Sequence, residues 1–273
     1  MSHDATRYGE AVERCGLSET HLKVISWVAP GSRVLEVGCA TGYVGKILVE
    51  TKGCQVTGLE LDPGAAEAAR QNGLTVIEGS LEDARFRASI SDRFDFVLAT
   101  DVLEHLRDPA AVLEDFKRWL GPRGRAIIAV PNVATWQIRN QLFFRGDFEY
   151  QETGILDRTH LHFFTWYTLH RLVTSQGWSI VDSMHEWSLP FGKDLLLETP
   201  RDARVYLENM ASSGPLGRVA SAALGPGAAR VEKLGQRLAE GIFRRWPNAC
   251  ASHIALVLEM PEGATNGRAS GRS

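Results

Sequence analysis

The sequence predicts an α/β protein built on a mostly parallel, doubly wound sheet, and three observations carry that reading. Strand-like and helix-like stretches alternate from residue 20 to about 190, a pattern that builds parallel sheets with right-handed crossovers. Residues 94–100 form a largely apolar run bounded by polar residues, as expected of a strand buried on both faces. Gly38, Gly42 and Gly45 lie between an apolar strand-like stretch and an apolar helix, where such a sheet binds its ligands.

The elements follow in order. Leu22, Ile25, Val28 and Ala29 recur at helical spacing within residues 18–29, and Pro30-Gly31 ends that helix. Residues 33–37 read as a strand and 44–49 as the helix beyond the glycine turn. Residues 55–60 are a second strand. Residues 63–71 are a helix with Asp62 as N-cap and Pro63 at its first position, a favoured start. Residues 74–78 are the third strand and 94–100 the fourth. Asp108-Pro109 opens a helix that runs through Leu120, the Gly121-Pro122-Arg123-Gly124 segment closes it, and residues 125–130 are the fifth strand. After Pro131 the pattern changes. Residues 136–144 read as helix, 146–165 as a polar and aromatic loop, 165–176 as helix and 178–187 as strand. Residues 1–200 thus form the core with an N-terminal helix. Residues 201–248 form an Ala-, Arg- and Gly-rich helical insert, 249–260 supply the last core strand, and the polar tail 261–273 is expected to be disordered.

Composition narrows the function. The chain has 273 residues, 44% hydrophobic and 23% charged, which is ordinary globular usage. Thirty Lys and Arg against 33 Asp and Glu give a net charge of −3, so a nucleic-acid partner is not favoured. No apolar run reaches the roughly 18 residues that span a bilayer, and residues 1–10 hold no apolar signal core, so a cytoplasmic protein is expected. Cys15, Cys39, Cys54 and Cys250 lack C-x-x-C spacing and read as reduced thiols. The insert carries eight basic and four acidic residues. It reads as a solvated cap or a homodimer surface, or else as a lid or a contact for a membrane or lipid-linked substrate.

The glycine turn holds the central signal. Glycine there lets a ligand approach the backbone and permits positive φ; with no ligand it would be only a tight strand-to-helix turn. Glu36 sits near the end of a buried strand, where an unpaired carboxylate is costly. Glu60 closes the second strand, placed to hold two ribose hydroxyls. A dinucleotide fingerprint would need glycine where Ala40 and Tyr43 stand, which disfavours a dehydrogenase.

Glu36-Val37-Gly38-Cys39-Ala40-Thr41-Gly42 resembles the E/D-x-G-x-G-x-G motif of class I S-adenosylmethionine-dependent methyltransferases, with Ala40 in place of the middle glycine. Leu59-Glu60-Leu61-Asp62 resembles the second motif of that family. Glu78-Gly79-Ser80-Leu81-Glu82-Asp83 resembles the third, with Ser80 where an acid often stands. Residues 94–106 and 125–132 resemble the fourth and fifth. The likeness covers about residues 30–190 and the last strand. It implies a Rossmann-like seven-stranded sheet, the class I methyltransferase fold, with a C-terminal helical insert and an antiparallel last strand beside strand five. It implies S-adenosyl-L-methionine as cofactor, bound by Glu36, Gly38, Ala40, Thr41, Gly42, Glu60, Leu61, Ser80, Leu81 and Asp101. Backbone amides after Gly38, at a helix N-terminus, suit the cofactor's carboxylate.

Two stretches would handle the acceptor. Asp101-Val102-Leu103-Glu104-His105 follows strand four. His105 there is either a locally packed residue or a catalytic one. Acid, two residues, acid, histidine also resembles the metal element of metal-assisted O-methyltransferases acting on ubiquinone precursors or RNA ribose ends, with Asp101, Glu104 and His105 as hard-ion ligands; the sequence leaves metal open. The loop 146–165 carries His160 and His162 among aromatics and resembles small-molecule methyltransferases of polysaccharide, lipid and secondary-metabolite chemistry. His160 is the candidate general base, or a residue that pins the loop. The expected reaction is methyl transfer to a hydroxyl oxygen of a small molecule: a metabolite, sugar or lipid-linked intermediate. The alternative is a non-catalytic cofactor-binding or scaffold protein that kept the methyltransferase fold.

Overall fold

The computed structural model describes residues 17–187 and 251–260. Residues 201–248, expected to form a helical insert with a membrane, lid or dimer role, and the tail 261–273 lie outside the described residues. Seven strands form one sheet in the order β3-β2-β1-β4-β5-β7-β6: β1 Arg33–Val37, β2 Gln55–Glu60, β3 Thr75–Glu78, β4 Phe94–Thr100, β5 Leu120–Pro131, β6 Ser179–Trp187 and β7 Ala251–Glu259. The first five pair in parallel, with Val34 opposite Val56 and Phe96, and β7 runs antiparallel to β5 with Ile128 opposite Leu256. The sheet bears out the expected class, including the last strand beside strand five.

Side-chain alternation divides the core into two layers. Leu35, Val97, Ile128 and Leu256 face one side, packed on α5 (Pro109–Trp119) and α7 (Trp166–Ser175) through Phe116, Trp119, Leu169 and Val173. Val34, Leu98, Ile127 and Val257 face the other, packed on α1 (Glu19–Trp27), α2 (Tyr43–Lys52) and α3 (Pro63–Gln71) through Val24, Leu48 and Ala69. Strands buried on both faces read as apolar runs for this reason. Caps set the helix starts. Ser18, Asp62, Asp108 and Thr165 each accept the backbone N–H of the residue three positions on, satisfying donors that the helix leaves unpaired.

Three local readings change. The Gly121–Gly124 segment does not separate helix from strand: β5 starts at Leu120, paired with Phe94, and the ladder resumes at Arg125 opposite Phe96. The glycines and Pro122 form an excursion inside the strand. A short helix, α4 (Ala84–Ser89), stands where no element was expected; none of its residues is fully buried, and it shows no apolar period. Residues 136–144 split into α6 (Trp136–Asn140) and a π-helical turn, Gln141–Arg145. Among the described residues, 17–133, 150–186 and 253–260 form one compact unit, and 134–149, 187 and 251–252 belong to a second.

Candidate active site

The glycine turn is shaped by three left-handed residues, Gly38, Ala40 and Gly42, with φ of 66°, 48° and 77°. A Cβ on Gly38 would stand 2.7 Å from a methyl of Val102, so glycine is required for space as well as for φ. Ala40 bears the φ that the missing middle glycine would carry freely. The turn is tied to β2: the Gly38 and Cys39 amides donate to the Leu59 carbonyl at 2.8 and 3.1 Å. Gly42 is the N-cap of α2 and supplies no side chain, so the first amides of that helix lack a side-chain cap and suit an anion.

Glu60 occupies a more demanding position than a ribose acid needs. Its Oε1 accepts the Leu61 and Asp62 amides and its Oε2 accepts the Ala40 amide, all at 2.8 Å. A carboxylate has about four acceptor sites, so one remains, on Oε2. Glu36 is buried, and its Oε2 has no hydrogen-bond partner. Burial pushes its carboxyl up to about 8; the Gly45 amide holds it partly back and the Glu60 charge adds to the rise. A buried carboxyl with one unpartnered oxygen beside an uncapped helix start fits a ligand that brings both a cation and an anion. S-adenosylmethionine, with its ammonium and carboxylate, has that chemistry.

The other cofactor candidates are placed more loosely. The Thr41 carbonyl accepts from Asn72 at 2.9 Å, and Leu61 is exposed. The Ser80 hydroxyl accepts the Glu82 amide at 3.2 Å, and the Leu81 carbonyl accepts from Arg87. Asp101 holds a left-handed φ of 55° just past β4, with its amide on the Ala129 carbonyl. Strain of this kind in a non-glycine residue is often found at functional sites.

Beyond Asp101, a 3-10 turn (Leu103–His105) meets the loop of residues 150–164. Glu104 is buried, and neither of its carboxylate oxygens has a hydrogen-bond partner. Burial, then the Asp101 charge, holds its carboxyl well above the ordinary range. One ligating atom from each of Glu104, His105 and His160 lies within 4.8 Å of the others. The two imidazoles meet edge to face at 4.7 Å. His160 Nδ1 lies 3.1 Å from the Ile155 carbonyl; a carbonyl only accepts, so Nδ1 carries the proton and Nε2 is the basic nitrogen. Burial first, then the neighbouring His105, lowers the His160 pKa, so the ring is neutral at pH 7. Thr159 fixes the pair, its hydroxyl donating to the buried Asp157 at 2.7 Å and lying 3.1 Å from His105 Nδ1. The Leu161 and His162 amides close the loop onto the Glu104 carbonyl. His162 itself stacks on Phe164 and reaches the Arg107 carbonyl, outside the cluster. The structure therefore joins His160 to Glu104 and His105, and sets Asp101 among other partners.

Those partners carried no sequence signal. His21 Nε2 lies 4.0 Å from Asp101 Oδ2, and His253 Nε2 lies 3.6 Å from Oδ1. Glu186 stands 3.8 Å from the other nitrogen of His253 and accepts the Thr20 hydroxyl at 2.5 Å. These residues come from α1, β6 and β7, outside every motif, and only the sheet order brings them together.

The profile of the family described as methionine biosynthesis protein MetW matches residues 18–187. The ubiquinone biosynthesis O-methyltransferase of Haemophilus ducreyi is 33% identical over 110 residues, 37% of this chain and 46% of that protein. The glycine/sarcosine/dimethylglycine N-methyltransferase of Actinopolyspora halophila is 30% identical over 142 residues, 49% of this chain and 23% of that protein. The chain thus spans less than half the length of either relative. A putative methyltransferase of Haloferax volcanii, solved in complex with a Trm112 methyltransferase activator, superposes with a TM-score of 0.56 at 15% identity, covering 94% of each chain. That likeness is one of fold.

Proposed function

The chain belongs to the family described as methionine biosynthesis protein MetW, and from that footing we propose that it transfers the methyl group of S-adenosyl-L-methionine to a hydroxyl oxygen of a small-molecule acceptor. Its fold is the class I methyltransferase fold. The observation that carries the reading is the left-handed glycine turn, set beside the unpartnered Oε2 of buried Glu36 and the Glu60 carboxylate that holds the Ala40, Leu61 and Asp62 amides. Glu36 and the first amides of α2 suit the two ends of the cofactor's amino-acid part, and the free lone pair of Glu60 suits a ribose hydroxyl. Ubiquinone O-methyltransferases among the relatives support oxygen as the acceptor atom; the N-methyltransferase keeps nitrogen as the competing outcome.

The cofactor supplies an electrophilic methyl, and this chain's residues supply alignment and a proton acceptor. His160 Nε2 would take the proton that the acceptor hydroxyl gives up on methylation. His105 is positioned by Thr159 beside it. Loss of the base lowers turnover by about 10²–10⁴-fold. The test follows labelled methyl from S-adenosylmethionine into a small-molecule extract, with parent and His160→Ala protein compared across pH. The parent should show a limb on the acid side that His160→Ala lacks; turnover within a few-fold of the parent, with the same profile, would remove His160 from this role. A scaffold protein would transfer no label at all.

A second reading has its own support. The bare carboxylate of Glu104 between His105 and His160 has the donor set of a divalent-cation site. In that case chelation abolishes transfer and Mg²⁺ or Mn²⁺ restores it. With His160 as base, transfer persists in chelator.

A further inference from the structure

We propose that the tip formed by Leu142, Phe143 and Phe144, with Arg139 and Arg145 beside it, is a contact surface for an anionic lipid membrane. The phenyl rings enter the acyl boundary, and the guanidinium groups meet headgroup phosphates. The surface lies wholly within residues 134–149, in the second unit, and it does not depend on the cofactor reading above.

The argument starts from apolar surface left in water. Phe143 and Phe144 are 82% and 75% exposed, more than any other large apolar side chain among the described residues. Leu142 and Trp136 are exposed as well. The two phenyl rings meet edge to face at 4.9 Å, so they form one apolar patch. Monomeric soluble proteins rarely carry a large patch of this kind without a use for it. Local structure explains why these side chains point outward. α6 buries only Ile138, and the π-helical turn Gln141–Arg145 buries none of its residues. Gly146 ends the turn at a φ of 63°, its amide on the Leu142 carbonyl at 3.1 Å. Three consecutive apolar residues thus stand at the end of a turn, as a wedge and not as a stripe.

Charge and pattern select the occupant. Residues 134–146 hold Arg139 and Arg145 and no acid, in a chain of net charge −3. The next acid, Asp147, accepts the Gln141 side-chain amide at 3.4 Å. Arg139 Nε donates to the Ala134 carbonyl at 2.7 Å, which keeps that guanidinium beside the helix start. A hollow next to Phe144 is lined by side-chain amides and by Arg145, donors that suit phosphate oxygens. A helix that docks in a protein groove offers apolar residues three and four apart. Here the positions three and four before Phe143 are Asn140 and Arg139, and those before Phe144 are Gln141 and Asn140. A second copy packed about a two-fold axis would bring the arginines of both patches into one contact. Exposed phenylalanine, leucine and tryptophan beside arginine are instead the composition of a segment that lies in the membrane interface, and an anionic leaflet attracts each cation near its surface.

The test is cosedimentation of the full chain with two kinds of vesicle, phosphatidylcholine alone and phosphatidylcholine mixed two to one with phosphatidylglycerol. The parent should bind the anionic vesicles, and bind them less at high salt. The double variant Phe143→Ser, Phe144→Ser should weaken that binding about tenfold or more, through the apolar area it removes. The double variant Arg139→Gln, Arg145→Gln should lower the preference for anionic over neutral vesicles about tenfold. All four side chains are exposed, so both variants should melt like the parent; the arginine variant decides if the phenylalanine variant fails to fold. A parent that stays in the supernatant with both vesicles would overturn the proposal. So would folded variants that bind like the parent, which puts the lipid contact elsewhere in the chain. Loss in the phenylalanine variant with the anionic preference intact in the arginine variant would overturn the role of the two arginines. A parent that ignores vesicles but self-associates, and loses this in Phe143→Ser, Phe144→Ser, would assign the tip to a second copy instead.

Discussion

Glu60 and Glu36 show how one residue type is bent to two tasks by its surroundings. Glu60 is satisfied by three amides, so its removal should act twice. Glu60→Ala should lose roughly 1.5–3 kcal/mol of cofactor affinity, and its unfolding midpoint should also fall, because the turn loses its anchor to β2. Calorimetry and thermal melting on the same preparation separate the effects; unchanged affinity in a folded variant would take Glu60 out of the site. Glu36 runs the other way. Its folded carboxyl titrates at about 8 against an ordinary 4.5, so between those values the folded protein keeps a proton that the unfolded chain has lost. Stability then falls as pH rises through that window. Glu36→Gln should flatten this slope and gain roughly 1–3 kcal/mol near pH 8 in the ligand-free protein, as denaturant titrations at several pH values would show. On the acid side, His21 and His160, both lowered, cost stability as pH drops below about 6.5. The glutamates and glycines were legible in the sequence because their spacing is local. His21 and His253 were not, since nothing in a linear reading pairs an N-terminal helix with the last strand.

At the level of elements, legibility followed burial. The strands that bury both faces, and helices with caps such as Asp62 and Asp108, read correctly from their residues. Asp108 accepts the Ala111 amide at 3.0 Å with Pro109 behind it, and α5 buries Val112, Leu113, Phe116 and Trp119 beneath the sheet. Asp108→Ala should therefore cost about 0.5–2 kcal/mol, with cofactor affinity kept; a denaturation curve unchanged from the parent would contradict the cap's role. Elements without a buried stripe escaped notice. α4 packs only the half-buried Phe86 against the core, and the excursion at Gly121–Gly124 resembles a chain break because glycine and proline punctuate both. The loop of residues 150–164 was legible as functional from its composition, yet its order depends on Asp157, Thr159 and the Glu104 carbonyl, whose meeting is tertiary.

For the molecule as a whole, the sheet order brings separate motifs to one edge. β1, β2 and β4 end side by side, carrying the glycine turn, Glu60 and Asp101, and the 3-10 turn after β4 adds Glu104 and His105 against His160. A dinucleotide enzyme would also place a glycine turn and an acid at this edge, so the account stands or falls on which nucleotide the edge selects. The most direct measurement is a calorimetric titration of the full chain with S-adenosylmethionine and, separately, with NAD. The account predicts saturable one-site binding of S-adenosylmethionine, weakened in Glu60→Ala, and no binding of NAD at the same concentrations. Binding of NAD in preference to S-adenosylmethionine, or of neither, would contradict it.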